Sequence, residues 1–319
     1  MAEKLPLIVL AGPTAVGKTH LSIRLAKHLG AEIISADSMQ VYKHMDIGSA
    51  KIRPAQMEGV RHHMLDILEP DEEFNVVIFK NRVTQCIREI TDRGHIPILT
   101  GGTGFYIQAV LYDIDFTENE ENTKLRTRLE RLYDKKGAQY LHHMLRKADE
   151  ASAQAIHANN KKRVVRALEF YFLTGKKISE HNETERQKLS AYDSCYFVLN
   201  DDRKKLYERI DRRVDDMLSE GLLAEVNSLK EAGFDKNLVS MQGLGYKELL
   251  RFLNGEIGLE EAVYLIKRDT RHFAKRQITW FKREKDVIWV EKGAFGYDEE
   301  EILAYIIDRW EHRKDCNFC

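Results

Sequence analysis

Two kinds of apolar pattern alternate along the chain. Five short runs, over residues 5–11, 32–36, 96–100, 195–200 and 287–290, are apolar at nearly every position and read as buried strands. Between them, apolar residues recur at three- and four-residue spacing. One such stretch opens at Lys18, passes through Leu21, Leu25 and Leu29, and stops at Gly30, a favourable helix terminator. Another covers 74–93, with Val76, Val77, Phe79, Val83 and Ile87 predicted to face inward and Gly94 closing it. Strands that alternate with helices predict an α/β fold with a parallel sheet flanked by helices. The segment between the third and fourth strands breaks this rhythm. From 124 to about 174 it is helical in pattern (Leu125, Leu129 and Leu132, then Val164, Leu168 and Phe172), with an acidic lead-in over 117–122 and a polar lead-out over 176–190. The predicted organisation is a core of residues 1–116 and 191–319 carrying an all-helical insertion over 117–190. Within the core, helices are predicted over roughly 203–219, 222–231, 245–253, 259–283 and 298–312.

The junction of the first strand and first helix holds the strongest chemical signal. Gly12, Pro13, Thr14, Ala15, Val16, Gly17, Lys18 and Thr19 match GxxxxGK[ST]. Glycines let backbone N–H groups turn toward phosphate oxygens, the helix N-terminus adds partial positive charge, Lys18 adds a cation, and the Thr19 hydroxyl can ligate Mg2+. This predicts a P-loop NTPase-like core that binds a polyphosphate with Mg2+; it specifies neither ATP nor phosphoryl transfer. The third strand ends in Gly101-Gly102-Thr103-Gly104 rather than in the acid of a Walker B strand, whereas the second ends in Asp37. Ligands of parallel α/β sheets bind beyond the carboxyl ends of strands, so Asp37 and Thr103 are predicted near the phosphate loop. A turn-capping role for Asp37 and a plain turn role for Thr103 are the competing readings. Arg209 and Arg213 share a face of the helix after the fourth strand and are candidates for reaching a phosphate, although Asp211, Asp215 and Asp216 lie close enough in sequence to engage them instead.

Composition adds little until it is localised. Fifty Lys and Arg against 51 Asp and Glu give a formal charge of −1, which by itself argues against a polyanionic partner. Residues 267–285, however, hold eight Lys or Arg against two acids, together with Phe273, Trp280 and Phe281. A second basic cluster, with Lys161, Lys162, Arg163 and Arg166, sits in the insertion, near Lys176 and Lys177. Such clusters neutralise nucleic-acid phosphates and aromatics stack on unpaired bases, although solvated helix faces with core aromatics are the plainer alternative.

These segments in combination resemble one enzyme family, tRNA dimethylallyltransferase. The resemblance rests on the phosphate loop, on the run from Asp37 through Ser38, Met39 and Gln40 to Tyr42, on Met45 to Gly48, on Gly101 to Tyr106, on Arg163 to Glu169, on Gln242 to Lys247, and on Lys275 through Arg276 and Gln277 to Phe281. It implies transfer of a dimethylallyl group from dimethylallyl diphosphate to the N6 amine of an adenosine next to the anticodon. Asp37 would be the general base, and Thr103 would hydrogen-bond near the reacting amine. The tRNA contacts implied are Asp37, Ser38, Met39, Gln40, Thr103, Arg126, Lys162, Arg163, Arg166, Gln242, Tyr246, Lys247, Lys275, Arg276 and Gln277. The target base would have to flip into a channel, with Phe105 and Tyr106 either lining it or buried in the core. The expected partners are the tRNA anticodon stem-loop and dimethylallyl diphosphate.

The rival readings are a small-molecule or nucleotide kinase on the same core, and a P-loop ATPase that remodels nucleic acid. No apolar run approaches the ~20 residues that span a bilayer, and the first residues read as a strand rather than a leader. Four cysteines suggest no disulfide framework, and the terminal Cys316 and Cys319 pair reads as two thiols on a tail. A cytoplasmic monomer is expected.

Overall fold

The computed structural model describes residues 4–116 and 123–313. The acidic segment 117–122, the first three residues and the Cys316–Cys319 pair lie outside them. The described chain divides into two compact units, 1–111 with 191–319, and 112–190.

In the larger unit the chain forms β1 (Pro6–Ala11), α1 (Lys18–Leu29), β2 (Ala31–Ala36), β3 (His62–His63), α2 (Val76–Asp92), β4 (Ile96–Gly101) and α3 (Gly104–Leu111). In the second unit come α4 (Thr123–Lys136), α5 (Ala138–Ala148), α6 (Glu150–Ala155), α7 (Lys161–Thr174) and α8 (Ile178–Gln187). The larger unit resumes with β5 (Asp193–Asn200), α9 (Arg203–Ser219), α10 (Leu222–Glu231), α11 (Tyr246–Leu253), α12 (Leu259–Phe281), β6 (Val287–Glu291) and α13 (Glu299–Glu311). All strand pairings are parallel, in the order β3-β2-β4-β1-β5-β6.

Both parities of the central strands are buried, so helices cover both faces. Ile8, Leu10, Ile33, Ile98, Phe197 and Leu199 join a core with Leu21 and Leu25 of α1 and Ile302, Ile306 and Trp310 of α13. The opposite parity, Leu7, Val9, Ile34, Leu99 and Val198, is equally inaccessible. The five strands expected from apolar runs are present. β3 is the addition: two histidines at a sheet edge leave no apolar run to detect. On α2, Phe79, Val83, Ile87 and Ile90 are buried; Val77 is exposed because it lies off that stripe, and Val76, on the stripe but in the first helical position after the Asn75 cap, is half-buried. Two further helices went unforeseen: α3, hidden in the run after the glycines, and α8, in the polar lead-out.

The second unit has its own core, built from Leu129, Leu141, Leu145, Val164 and Leu168. Asp149 is buried and accepts from the Ser152 and Ser179 hydroxyls at 2.6 and 2.7 Å, joining α6 to the start of α8. Phe172, predicted on the same stripe as Leu168, is half-exposed beside Tyr171.

Candidate active site

Three loops leave the sheet at one level. Gly101 of β4 is in register with Ala11 of β1 on one side and Ala36 of β2 on the other, so the next residues, Gly102, Gly12 and Asp37, emerge side by side at the carboxyl edge. They open onto a cleft lined by Thr14, Lys18, Thr19, Asp37, Thr100, Arg213 and Gln277, with Ile33, Ile52, Leu65 and Phe273 as its apolar portion. A second, more open cavity lies against the outer side of the phosphate loop. It shares Lys18, Thr19 and Arg213 with the first and adds Ala15, Gly17, Arg209, Arg212 and Asp216.

The phosphate loop ends in Gly17, which adopts φ 104° and leaves α1 without a side-chain cap. The first N–H groups of that helix are therefore available to an anion. Lys18 folds back over the loop and donates to the carbonyls of Gly12 and Pro13 at 2.9 and 2.8 Å. Loss of water around its amine, aided by the Arg213 charge and opposed by Asp37, lowers its pKa to about 7. The outer carbonyls of the loop are also held: Arg209 Nε donates to Ala15 at 2.9 Å and Lys292 Nζ to Val16 at 3.5 Å.

The two candidate arginines of α9 have separate roles. Arg209 is tied to the loop and lies 2.6 Å from the buried carboxylate of Asp201. Arg213 makes no ion pair among the described residues and lines both cavities. Burial works against its charge and Asp37 supports it. The aspartates of the same helix do not engage these arginines as one reading of the sequence expected. Asp211 and Asp215 pair across to Arg271 and Lys267 of α12.

Asp37 lines the cleft and also caps a turn, its Oδ1 accepting from the Met39 N–H at 2.8 Å. The turn-capping reading is thus met at a residue that also lines the cleft, and Oδ2 has no partner among the described residues. Thr103 lies just beyond the cleft lining, where its carbonyl accepts from Tyr106 and Ile107 at the start of α3. Tyr106 is on the core side: it packs 4.6 Å from Phe79 and against Phe74, and burial with nearby Tyr42 and Asp37 pushes its hydroxyl to about 12. Phe105 is 40% exposed and meets the Trp280 ring edge-on at 6.0 Å.

The residues read as RNA contacts divide by burial. Lys162 and Arg163 on α7, Gln242, and Lys275 and Arg276 on α12 are exposed; Ser38, Met39 and Lys247 are half-buried. Gln40 is occupied within the cleft wall, accepting from Ser35 Oγ at 2.9 Å and donating to the carbonyls of Ser49 and Ala50. In the second unit, Arg126 and Arg166 converge on the fully buried Glu169 at 2.9 and 3.6 Å. Tyr246 and Gln277 are buried, with their polar ends satisfied inside the protein. The Gln277 amide bridges the Thr14 N–H (2.9 Å) and the Gly102 carbonyl (3.0 Å); a Cβ on Gly102 would come within 2.1 Å of it. The basic run of α12 also divides, with Lys267, Arg268 and Arg271 consumed by ion pairs with Asp215, Asp269 and Asp211. Sequence reading missed Lys292 and the apolar trio Ile33, Ile52 and Leu65, and placed Phe273 in the basic run without placing it in the cleft; a glutamine at an apolar position of α12 was the one available clue to the buried bridge.

A family model described as IPP transferase matches residues 40–284. Over 301 residues the chain is 62% identical to a tRNA dimethylallyltransferase of Lachnoclostridium phytofermentans, covering 94% of this chain and 96% of that one. It is 48% identical over 309 residues to the enzyme of the same name from Clostridioides difficile, covering 96% and 99%. Among solved structures it is similar to a tRNA isopentenylpyrophosphate transferase of Staphylococcus epidermidis, with a TM-score of 0.72 at 43% identity over 97% of this chain and 100% of that one. It is also similar to a eukaryotic dimethylallyltransferase described as acting on tRNA, with a TM-score of 0.74 at 31% identity over 90% of this chain and 73% of that one. A match of this length and identity, on a fold with a phosphate loop beside Asp37, means that the chain belongs to the IPP transferase family.

Proposed function

We propose that this protein transfers the dimethylallyl group of dimethylallyl diphosphate to the N6 amine of an adenosine next to the anticodon of tRNA, releasing diphosphate. The observation that carries this reading is the convergence of Asp37, Lys18 and Arg213 on one cleft, in a chain whose relatives bear the name tRNA dimethylallyltransferase. The kinase alternative gains no support from those relatives.

The diphosphate occupies the phosphate loop as a leaving group. As the allylic C–O bond breaks, its electron pair passes to the diphosphate oxygen, and the α1 N-terminus, Lys18 and Arg213 meet the growing charge. Arg213 is the arginine that reaches it; Arg209 shapes the loop. The adenine amine supplies the electrons of the new N–C bond and loses a proton, for which Asp37 Oδ2 is the acceptor. Thr103 assists at the amine from the adjoining loop. The site fits a divalent cation held mainly by phosphate and water: Thr19 offers one exposed hydroxyl in the cleft, and no cluster of three or more His, Cys, Asp or Glu among the described residues could cage a metal. Mg2+ bound there would neutralise diphosphate charge.

A base must leave the loop stack to enter such a cleft, and unpaired anticodon-loop bases do so at a cost of a few kcal/mol. The exposed Lys275 and Arg276 of α12 contact RNA phosphates, as do the exposed Lys162 and Arg163 of α7; Arg126 and Arg166, expected as further contacts, are engaged with Glu169. Every group in this scheme comes from one chain, which suits a monomer, and the substrate suits a cytoplasmic location. No helix among the described residues is long and apolar enough to cross a membrane.

Incubation with unmodified tRNA, Mg2+ and labelled dimethylallyl diphosphate tests the reading. Label is expected in the tRNA. Absence of label, with transfer from γ-labelled ATP to a small acceptor, would overturn it.

A further inference from the structure

Beyond the residues that face the cleft, one carboxylate organises its wall. Glu225, in the first turn of α10, accepts four hydrogen bonds. Its Oε2 takes the backbone N–H groups of Asp46 and Ile47 at 2.9 and 2.7 Å, and its Oε1 takes the N–H of Gly48 at 3.1 Å and the Tyr246 hydroxyl at 2.6 Å. Three consecutive backbone donors on one side chain form an anion-binding concavity that is filled from within the protein. Tyr246 is 1% exposed, and burial beside the Glu225 charge raises its hydroxyl pKa, so it stays a donor across the working range. Its ring also fixes Gly48 by close approach: a Cβ there would lie 2.6 Å from the Tyr246 ring carbons.

The segment so held leads directly into the site. Ser49, Ala50 and Ile52 line the same cleft as Lys18 and Asp37, and the carbonyls of Ser49 and Ala50 receive the Gln40 amide. A line of contacts therefore runs from Tyr246 through Glu225 and the 46–48 backbone to Gln40, which faces the same cavity. We infer that Glu225, with Tyr246 oriented by it, is a positioning residue for the transferase reaction. It holds the cleft wall that sets the reacting groups in line and touches neither substrate. This inference rests on the transferase reading above.

Glu225→Gln tests it, because the carboxamide presents an N–H toward donors that need an acceptor. Transfer at saturating tRNA and dimethylallyl diphosphate should fall about tenfold to a hundredfold, the scale of an ångström-level misplacement of reacting groups. Inorganic diphosphate affinity, which reports the phosphate loop, should stay within about twofold, while the melting temperature should fall by several degrees as donors lose their acceptor. Tyr246→Phe, which removes one donor and keeps the ring, should give a smaller loss of the same kind. Transfer within about twofold of the parent in Glu225→Gln, or a parallel loss of diphosphate affinity, would overturn the inference. Should Glu225→Gln fail to fold, Tyr246→Phe decides: full transfer at an unchanged melting temperature overturns it. A parent protein that labels no tRNA refutes the transferase reading itself and takes this inference with it.

Discussion

Gln277 Oε1 accepts the backbone N–H of Thr14 at 2.9 Å across 263 residues of sequence, so the long basic helix α12 holds the phosphate loop from within. The other end of the same amide holds the Gly102 carbonyl. One buried side chain thereby sets the distance between the loop that takes phosphate and the loop that leads to Thr103.

Gln277→Leu keeps the approximate volume and removes both bonds. It leaves the half-buried Thr14 N–H without its acceptor and the Gly102 carbonyl with only the Gly104 N–H, a cost of about 1–3 kcal/mol in all. The melting temperature should fall by several degrees, and kcat/KM for dimethylallyl diphosphate should drop by at least about tenfold, as slackening of the loop predicts. Steady-state kinetics alongside thermal unfolding checks this. A variant with native kinetics would show that the bridge does not set the loop.

How much of this was legible beforehand depended on whether each residue's role is local. The strands, α1 with its Gly30 stop, and the phosphate loop follow from nearest-neighbour patterns, and the sequence places them within a residue or two. The division of the basic run of α12 does not. Whether Lys267 and Arg271 are free depends on Asp215 and Asp211, which face them only once α9 packs on α12. Arg209 and Arg213 are indistinguishable one turn apart until Asp201 and the Ala15 carbonyl capture the first. Tyr246 and Gln277 carry the chemistry of RNA contacts, and only the folded chain shows their polar ends bonded to Glu225 and to Thr14 and Gly102.

Lys18, with its pKa lowered to about 7, gives diphosphate binding a pH signature. Below pH 7 its amine already carries the proton that a diphosphate favours. Above it the free amine is increasingly neutral, so binding must take up a proton and affinity should weaken with rising pH. At pH 8, where the amine is mostly neutral, calorimetry of dimethylallyl diphosphate binding in two buffers of different ionisation heat should register uptake approaching one proton. Zero uptake would contradict the lowered pKa.

The two arginines of α9 should fail differently. Arg213→Ala removes a cation poised over the loop, and diphosphate affinity should fall about tenfold to a hundredfold, in line with one charge-assisted contact. It also removes a positive neighbour of Lys18, so the Lys18 pKa rises and proton uptake at pH 8 shrinks. Arg209→Ala instead removes the ion-pair partner of the buried Asp201, which keeps the Asp202 N–H and the Tyr297 hydroxyl as donors, and should lower stability by about 1–3 kcal/mol. Denaturant unfolding and diphosphate titration on both variants separate the two; equal effects on binding and stability in both would refute the division.

The basic face of α12 makes the last prediction, and the ion pairs decide which residues belong in it. Lys275 and Arg276 are exposed, with the Arg276 guanidinium 5.7 Å from the Phe273 ring. A phosphate-contacting cation releases counterions on binding, so Lys275→Ala and Arg276→Ala should each weaken tRNA affinity and reduce the slope of log affinity against log salt by about one. Arg271, one turn earlier, is bound to Asp211. Arg271→Ala should therefore leave the salt slope unchanged and lower the melting temperature through loss of the α9–α12 link. Titrations of tRNA at several salt concentrations check all three variants. An Arg271→Ala slope reduced as much as that of Lys275→Ala would mean the ion pair opens for RNA, and the whole of residues 267–285, not its second half, would be the binding face.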